Sequence, residues 1–373
     1  MAKCDDESLL SLLQALADLG AAPLYPAQFA KETNRDRADL DEGLDELRRR
    51  GLVVFTEWIK DLGQGYALTE AGRQALQSGR LTRATIATEA SSAARDLTTY
   101  ERGETVRRAV FEPKTAYVTR ILLIANLIYF GIGALVAWHQ QLPVSEYLQG
   151  DGATTTQVLI TLGGLHPVLV FPDQLPAHER VPSVLGFLEE SLPAKRSQFE
   201  RLVLSGFLHI GLLHLAMNMY FLATLAKQIE ALWGWARFLA IYFVAGIVSG
   251  CVVLLINVGP TDVTAGASGC LFGVFAAMIV WFSLNYQHLP DSLVRDWSRN
   301  TMINLVLLIA INFVPHVSWQ GHFGGAVGGF LGAILLHVNR FHSSPFVRGL
   351  ALAGVPAIPL FFFVAVLWQA GRL

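Results

Sequence analysis

The sequence predicts an all-α polytopic membrane protein with a small α+β domain in water at its N-terminal end. Hydrophobic residues make up 53% of the 373 and charged residues only 16%, with a mean hydropathy of +0.42. That much apolar surface cannot be hidden in one water-soluble core. From residue 117 onward the chain breaks into apolar runs close to the ~20 residues needed to cross hydrocarbon. Residues 1–80 instead carry 10 Lys+Arg and 14 Asp+Glu, as expected of a domain in water. The net charge of −2 gives no global pull toward nucleic acid or anionic lipid. Three cysteines, Cys4, Cys251 and Cys270, are odd in number and far apart, and the last two sit in apolar runs, so they read as free thiols.

Along the first 80 residues, "ESLLSLLQALADLG" spaces its leucines helically and stops at Gly20. "YPAQFAKET" forms a second short helix. "RADLDEGLDELRRRGLV" forms a third, with Leu40, Leu44 and Leu47 on one face and Gly51 at its end. "LVVFTEWI", the turn "KDLGQG" and "YALT" read as a hairpin, and a last helix starts from Thr69. Three helices followed by a hairpin resemble a winged-helix domain, a fold whose third helix usually binds DNA. Here that helix mixes Asp36, Asp39, Asp41, Glu42, Asp45 and Glu46 with its arginines. Acidic side chains facing phosphate are costly, so the charge argues against DNA and for a protein-interaction or regulatory module. The amino end mixes Asp5, Asp6, Glu7 and Asp18 with a short amphipathic pattern and reads as no signal peptide, which predicts a cytoplasmic N-terminus.

Residues 81–116 are polar, end near Pro113 and read as a linker or juxtamembrane segment; residues 117–373 are the membrane domain. Seven spans are expected, at about 117–139, 203–226, 236–257, 266–285, 301–314, 320–338 and 349–369. The connection at 140–200, with Pro143, Pro167, Pro172, Pro176, Pro182 and Pro193, is apolar enough to insert partly at the interface. With the N-terminus inside, the inner connections carry Lys227 and Arg237, Arg295 and Arg299, then Arg340 and Arg348, and the outer ones after the third and fifth spans carry no cation. This satisfies the positive-inside rule for a multi-pass protein of a bacterial inner or plasma membrane, its C-terminus outside.

In this topology the fourth and sixth spans both enter from outside, one beginning at Ser268 and the other at His322. Polar side chains at that depth are expensive unless they are partnered or functional. A serine hydroxyl needs a base to become a nucleophile, and histidine is the side chain best poised for that near neutral pH. Acyl transfer also needs donors aimed at the oxyanion. "HIGLLHLAMN" supplies His209, His214 and Asn218, the last two on one helical face. Gly269, Gly273 and Ala277 form a small-residue stripe in the fourth span, and Gly321, Gly325, Gly329 and Ala333 form one in the sixth. Such stripes let two membrane helices approach backbone to backbone, while Gly266 and Gly269 make room around the serine.

These stretches resemble the rhomboid family of intramembrane serine proteases, over roughly residues 117–369. "GASG" is similar to its GxSG motif, "GHFGGAVGG" to its histidine-plus-glycine helix, and "HIGLLHLAMN" to its HxxxxHxxxN pattern. The resemblance implies a rhomboid-like six-helix bundle plus one C-terminal span. It also implies a Ser268–His322 dyad without a third carboxylate, an oxyanion hole of His214, Asn218 and the Ser268 amide, and His209 as a structural histidine. The implied partners are transmembrane protein substrates within the lipid bilayer, with no cofactor. Two positions depart from the family: a frequent Trp-Arg pair is Glu200-Arg201 here, leaving Arg201 to anchor the first loop, and a frequent tyrosine is Phe272, whose ring stays on the serine's face.

Each feature has a blander reading. A serine between glycines in a membrane helix is, alone, more often a packing residue. The histidines could gather a metal, but no HExxH motif and no intramembrane carboxylate accompany them. The main alternative function is an inactive rhomboid-like scaffold that binds membrane helices without cutting them. The joint presence of Ser268 and His322 argues against it. A transporter-like sensor reporting to DNA would need a basic recognition surface that the N-terminal domain lacks.

Overall fold

The computed structural model describes residues 6–371 except 21, 60–61, 80, 82–101, 104, 107–108, 112–114, 172–196, 257–262, 290 and 314–316. The Pro-rich second half of the first loop and most of the expected linker therefore lie outside the described residues. Two compact units emerge, residues 1–104 with 289–296 and residues 105–288 with 297–373.

In the N-terminal unit, helices α1 (Asp6–Asp18), α2 (Pro26–Thr33) and α3 (Arg37–Arg49) precede strands β1 (Val53–Ile59) and β2 (Gly63–Leu68) and helix α4 (Glu70–Ser78). The leucine spacing predicted in α1 and α3 has a direct consequence: Leu9, Leu13, Leu44 and Leu47 are fully buried in one core with Leu24 and Leu52. Glycines Gly20 (φ +63°) and Gly51 (φ +76°) take the left-handed backbone that ends α1 and α3. The hairpin pairs Val53 with Leu68 and Phe55 with Tyr66, then shifts register before Trp58 meets Gln64. Leu24 adds a bridge on the other side of β2, exchanging two backbone hydrogen bonds of 2.8 Å with Tyr66. Thr69 caps α4, its Oγ1 accepting from the Gly72 amide at 3.0 Å.

The second unit holds helices α5 (Tyr117–His139), α6 (Val144–Gln149), α7 (Gly152–Leu162), α8 (Pro167–Val170), α9 (Arg201–Leu204), α10 (Gly211–Phe221), α11 (Lys227–Trp233), α12 (Trp235–Leu255), α13 (Ser268–Asn285), α14 (Asp291–Ala310, which starts in the first unit), α15 (Trp319–Phe341) and α16 (Pro345–Gln369). Among the described residues, five helices are long and apolar enough to cross a membrane: α5, α12, α13 with its short extension, α15 and α16. A sixth span results if Arg201–Phe207 and Gly211–Trp233, bent by 92°, count as one. The run expected as the second span is thus broken before His214, at Leu208, His209 and Ile210. The run expected as the fifth span belongs to α14, which begins ten residues earlier than the predicted 301 and carries Arg295, Asp296 and Arg299 in its first half. That charge keeps it out of the long apolar class.

Part of the first loop is not free chain. Tyr147 of α6 is fully buried against α5, its ring 4.9 Å from Phe130 and its hydroxyl donating to the Phe130 carbonyl at 3.2 Å. At the other end of α5, buried Glu230 accepts hydrogen bonds from the amides of Val118 (3.0 Å) and Thr119 (2.8 Å) and from the Thr119 hydroxyl (2.7 Å). The carboxylate satisfies the orphan donors of the first helical turn and complements its dipole.

The core of the second unit is α12, α13 and α15, and its spacing is set by glycine. A Cβ on Gly325 would meet the Gly269 carbonyl, one on Gly329 the Gly273 backbone, and one on Gly324 would lie 2.7 Å from Val252 Cβ. Gly332 differs, since its added Cβ would find only Val244 at an ordinary 3.7 Å.

Two stability outcomes follow from these contacts. Gly325→Ala forces α13 and α15 apart and should cost about 1–3 kcal/mol, the usual range for overpacking. Gly332→Ala should be tolerated, and thermal unfolding in detergent compares the two. Glu230→Gln turns an acceptor toward α5 into a donor and should cost about 1–3 kcal/mol by leaving buried amides unpaired, read in the same assay.

Candidate active site

Ser268 is the first residue of α13, and the backbone reaches it through an irregular segment held on two sides. Leu165 and Thr264 exchange backbone hydrogen bonds of 3.0 and 2.9 Å, and the Gly266 amide donates to the Ser205 carbonyl at 2.9 Å. Gly266 sits at φ +135°, a conformation only glycine adopts freely, and a Cβ there would lie 2.8 Å from His214 Cε1, 3.0 Å from His214 Nε2 and 3.6 Å from Ser268 Oγ. The glycine predicted to make room around the serine therefore also makes room for His214.

His322 lies in the first turn of α15, 5% exposed, and its Nε2 is 2.8 Å from Ser268 Oγ. Hydroxyl and imidazole come from helices whose backbones touch at Gly269 and Gly325, one residue after Ser268 and three after His322. Phe272 stacks on the imidazole, ring centroids 4.0 Å apart and planes within 10°. One turn of helix separates Phe272 from Ser268, so the same face of α13 offers both the hydroxyl and the surface that holds its partner flat.

The other ring nitrogen has a partner that motif reading missed. His322 Nδ1 is 2.8 Å from Oδ1 of Asn312, in the short 3₁₀ turn Ile311–Phe313 that follows α14. A polar residue at the end of the apolar run "LVLLIAINFV" carries the same cost as Ser268 and His322, and that cost was the available signal.

The predicted donor set lies on α10 and the bend before it. His214 Nδ1 accepts from the Ile210 amide at 3.2 Å. The Nε2 of the neutral ring must then carry the proton, on the edge beside Gly266 and near Ser268. Asn218 is buried and spends one amide hydrogen on the His214 carbonyl at 2.9 Å, which leaves its second hydrogen unspent by that bond. His209 is fully buried, its ring centroid 5.3 Å from that of His214 in an edge-to-face contact. The Ser268 amide, at the start of its helix, has no intrahelical acceptor.

Arg201, 6% exposed, reaches into the first loop: its Nη1 donates to the carbonyls of Ile160 (2.9 Å) and Gly164 (2.8 Å), and its Nε to Gln198 (2.8 Å). It ties down the segment whose next residue, Leu165, bridges to Thr264. A small cavity beside the serine is lined by Ser205, Ser249, Thr264, Gly266, Gly269 and Cys270, with the thiols of Cys251 and Cys270 free and buried. Among the described residues no group of three or more His, Cys, Asp or Glu side chains is placed to hold a metal ion.

A hydroxyl, an imidazole with its second nitrogen engaged, and N–H donors on a third helix are the chemical groups that acyl transfer would need. A family model, the Rhomboid domain, matches residues 196–339. RHOMBOID-like protein 5 of Arabidopsis thaliana is 33% identical over 157 residues, covering 41% of this chain and 48% of the relative. Rhomboid protease GluP of Bacillus subtilis (strain 168) is 32% identical over 156 residues, 42% of this chain and 29% of the relative. Inactive rhomboid protein 1 of Danio rerio is 29% identical over 170 residues, 45% of this chain and 19% of the relative. The chain thus spans about half or less of the length of these curated relatives. A protease and an inactive protein both stand among them, so similarity alone assigns no activity. The matched segment, which is similar to the Rhomboid domain, holds Arg201, His209, His214, Asn218, Ser268 and His322.

Proposed function

We propose that the chain is an intramembrane serine endopeptidase that cleaves single-span membrane proteins near the outer leaflet. The observation that carries this reading is the 2.8 Å approach of His322 Nε2 to Ser268 Oγ. A client helix enters laterally, unwinds and presents its scissile carbonyl. Ser268 Oγ bonds to the carbonyl carbon while its proton passes to His322 Nε2. The oxyanion forms against the Ser268 amide, His214 Nε2–H and Asn218. His322 then protonates the leaving amine as the C–N bond breaks. A water, deprotonated by the same nitrogen, adds to the acyl carbon, and the proton returns to Ser268 Oγ as its bond to that carbon breaks. Phe272 holds the imidazole plane through both transfers.

The inactive relative makes a helix-binding scaffold the second reading. It differs in one measurable respect, because a scaffold has no use for a serine and a histidine in hydrogen-bond contact.

For residues 1–80 we infer a winged-helix-like module that binds a protein or regulatory partner. Its third helix spends its cations internally: Arg37 pairs with Asp41 at 2.9 Å, Arg48 with Asp45 at 2.7 Å and Arg49 with Glu46 at 3.2 Å, while Arg50 meets Asp6 at 3.0 Å and Glu46 at 2.9 Å. Arginines held by carboxylates have little charge left for phosphates.

Two outcomes are expected. With a reporter membrane helix in proteoliposomes, the wild type cleaves while Ser268→Ala and His322→Ala each lower the rate by at least about 10²-fold, the scale of acid–base and nucleophilic contributions. Equal product from all three sinks the protease reading in favour of the scaffold. Deleting residues 1–110 leaves that reporter cleavage intact and changes partner capture instead, and loss of intrinsic rate in a folded truncation contradicts the division of labour.

A further inference from the structure

We propose that Asn312 is a positioning residue that fixes the tautomer of His322, making the site a hydrogen-bonded Ser–His–Asn chain in which the third member is neutral. The inference rests on the protease reading above and deepens it.

Neighbouring carbonyls fix the orientation of the amide. Asn312 Nδ2 donates to the Leu308 carbonyl at 2.7 Å, four residues back on α14, and lies 3.4 Å from the Ile309 carbonyl. Turning the amide over would set its oxygen against the Leu308 carbonyl oxygen, acceptor against acceptor, and its NH2 against the histidine. The network therefore assigns Oδ1 to the side facing His322. A carbonyl oxygen only accepts, so at 2.8 Å His322 Nδ1 must carry a hydrogen.

That assignment determines the chemistry at the other nitrogen. A neutral imidazole has one N–H, so with Nδ1 protonated the lone pair stands on Nε2, which faces Ser268 Oγ at 2.8 Å. This is the form that can take the serine proton. The opposite tautomer would point a donor at the hydroxyl and leave it without a base. The neutral histidine side chain in water prefers the Nε2–H form, so the productive tautomer has to be imposed. Phe272 fixes the ring plane but is indifferent to the position of the proton, since a stacked face touches both tautomers alike. Asn312 supplies the asymmetry.

During attack the Nδ1–H proton stays on the imidazole. The Ser268 proton moves to Nε2 as the Oγ–carbon bond forms, and the resulting imidazolium donates from Nδ1 to Asn312 Oδ1. Asn312 neither gains nor loses a proton, so no charge is created behind the ring.

The test uses the full chain in detergent or proteoliposomes with two variants. Asn312→Leu keeps side-chain bulk and removes the acceptor. Asn312→Asp keeps an oxygen facing Nδ1, and in its protonated form its hydroxyl can donate to Leu308 as the amide does. Asn312→Leu should lower kcat about 10- to 100-fold with KM for the reporter helix unchanged, and Asn312→Asp should recover most of that loss. Nitrogen NMR on histidine-labelled wild type, with His322→Ala identifying the resonance, should find the hydrogen on Nδ1, and in Asn312→Leu it should shift toward Nε2. A wild-type His322 protonated on Nε2 overturns the proposal without reference to any variant. So does Asn312→Leu cleaving at the wild-type rate, or a loss of rate with the tautomer unmoved. Failure of the wild type to cleave at all would instead count against the protease reading, and the tautomer measurement would still decide the role of Asn312.

Discussion

The site depends on the backbone contact between α13 and α15. In lipid the hydrophobic effect does not press helices together, so close approach must come from van der Waals contact between small surfaces and from polar groups. Gly269 against Gly325, and Gly273 against Gly329, let two helix backbones touch with no side chain between them. A serine at the head of one helix and a histidine at the head of the other are then within a hydrogen bond. A methyl group between the helices would force their backbones to shift, and the Ser268–His322 hydrogen bond lies within a turn of that contact. Packing and chemistry are therefore one constraint, and the glycines serve the site by what they leave out.

Holding the helices together fixes the depth of the serine but not the direction of the chain entering it. That is set by groups distant in sequence. Arg201 gathers carbonyls from the end of α7, which seats Leu165 where it can bridge to Thr264, and the Gly266 amide is tied to Ser205. The segment before Ser268 is thus supported from the first loop and from the bend of the second span. An arginine nearly withdrawn from water is tolerated because its partners are carbonyl oxygens left over at a helix end, which need donors as much as the guanidinium needs acceptors.

Much of this was legible in the residues, for reasons that also explain what was not. Ser268, His322 and Phe272 could be found because helical spacing converts sequence separation into a common face, and small-residue stripes state which faces meet. The leucines of α1 and α3 are legible on the same grounds. The break at Leu208, His209 and Ile210 was not, since an apolar run has the same hydropathy whether straight or bent by 92°. The bridge between Leu165 and Thr264 joins segments almost a hundred residues apart through backbone atoms, on which side-chain identity leaves no mark. Asn312 falls between these cases: its polarity in an apolar run was visible, but its partner was not, because ten residues and a turn separate it from His322.

The choice of an amide behind the histidine has a physical logic of its own. A carboxylate there would stabilise the imidazolium more strongly, but it would have to be held ionised in a region of low dielectric, where an isolated charge costs several kcal/mol even after relaxation. In water-exposed enzymes that cost is moderated by solvent. Between membrane helices it would fall on the resting protein, and the carboxyl group would tend to neutralise itself and lose its advantage. An amide orients the ring at all times and carries no charge to desolvate. The trade is a weaker pull on the proton for a site that remains neutral until the substrate's own carbonyl brings charge into it. In the proposed mechanism that charge would arise beside the Ser268 amide and the Nε2–H edge of His214. On this reading the polarity of the site is arranged around the reacting carbonyl, and the resting protein holds it without a buried ion.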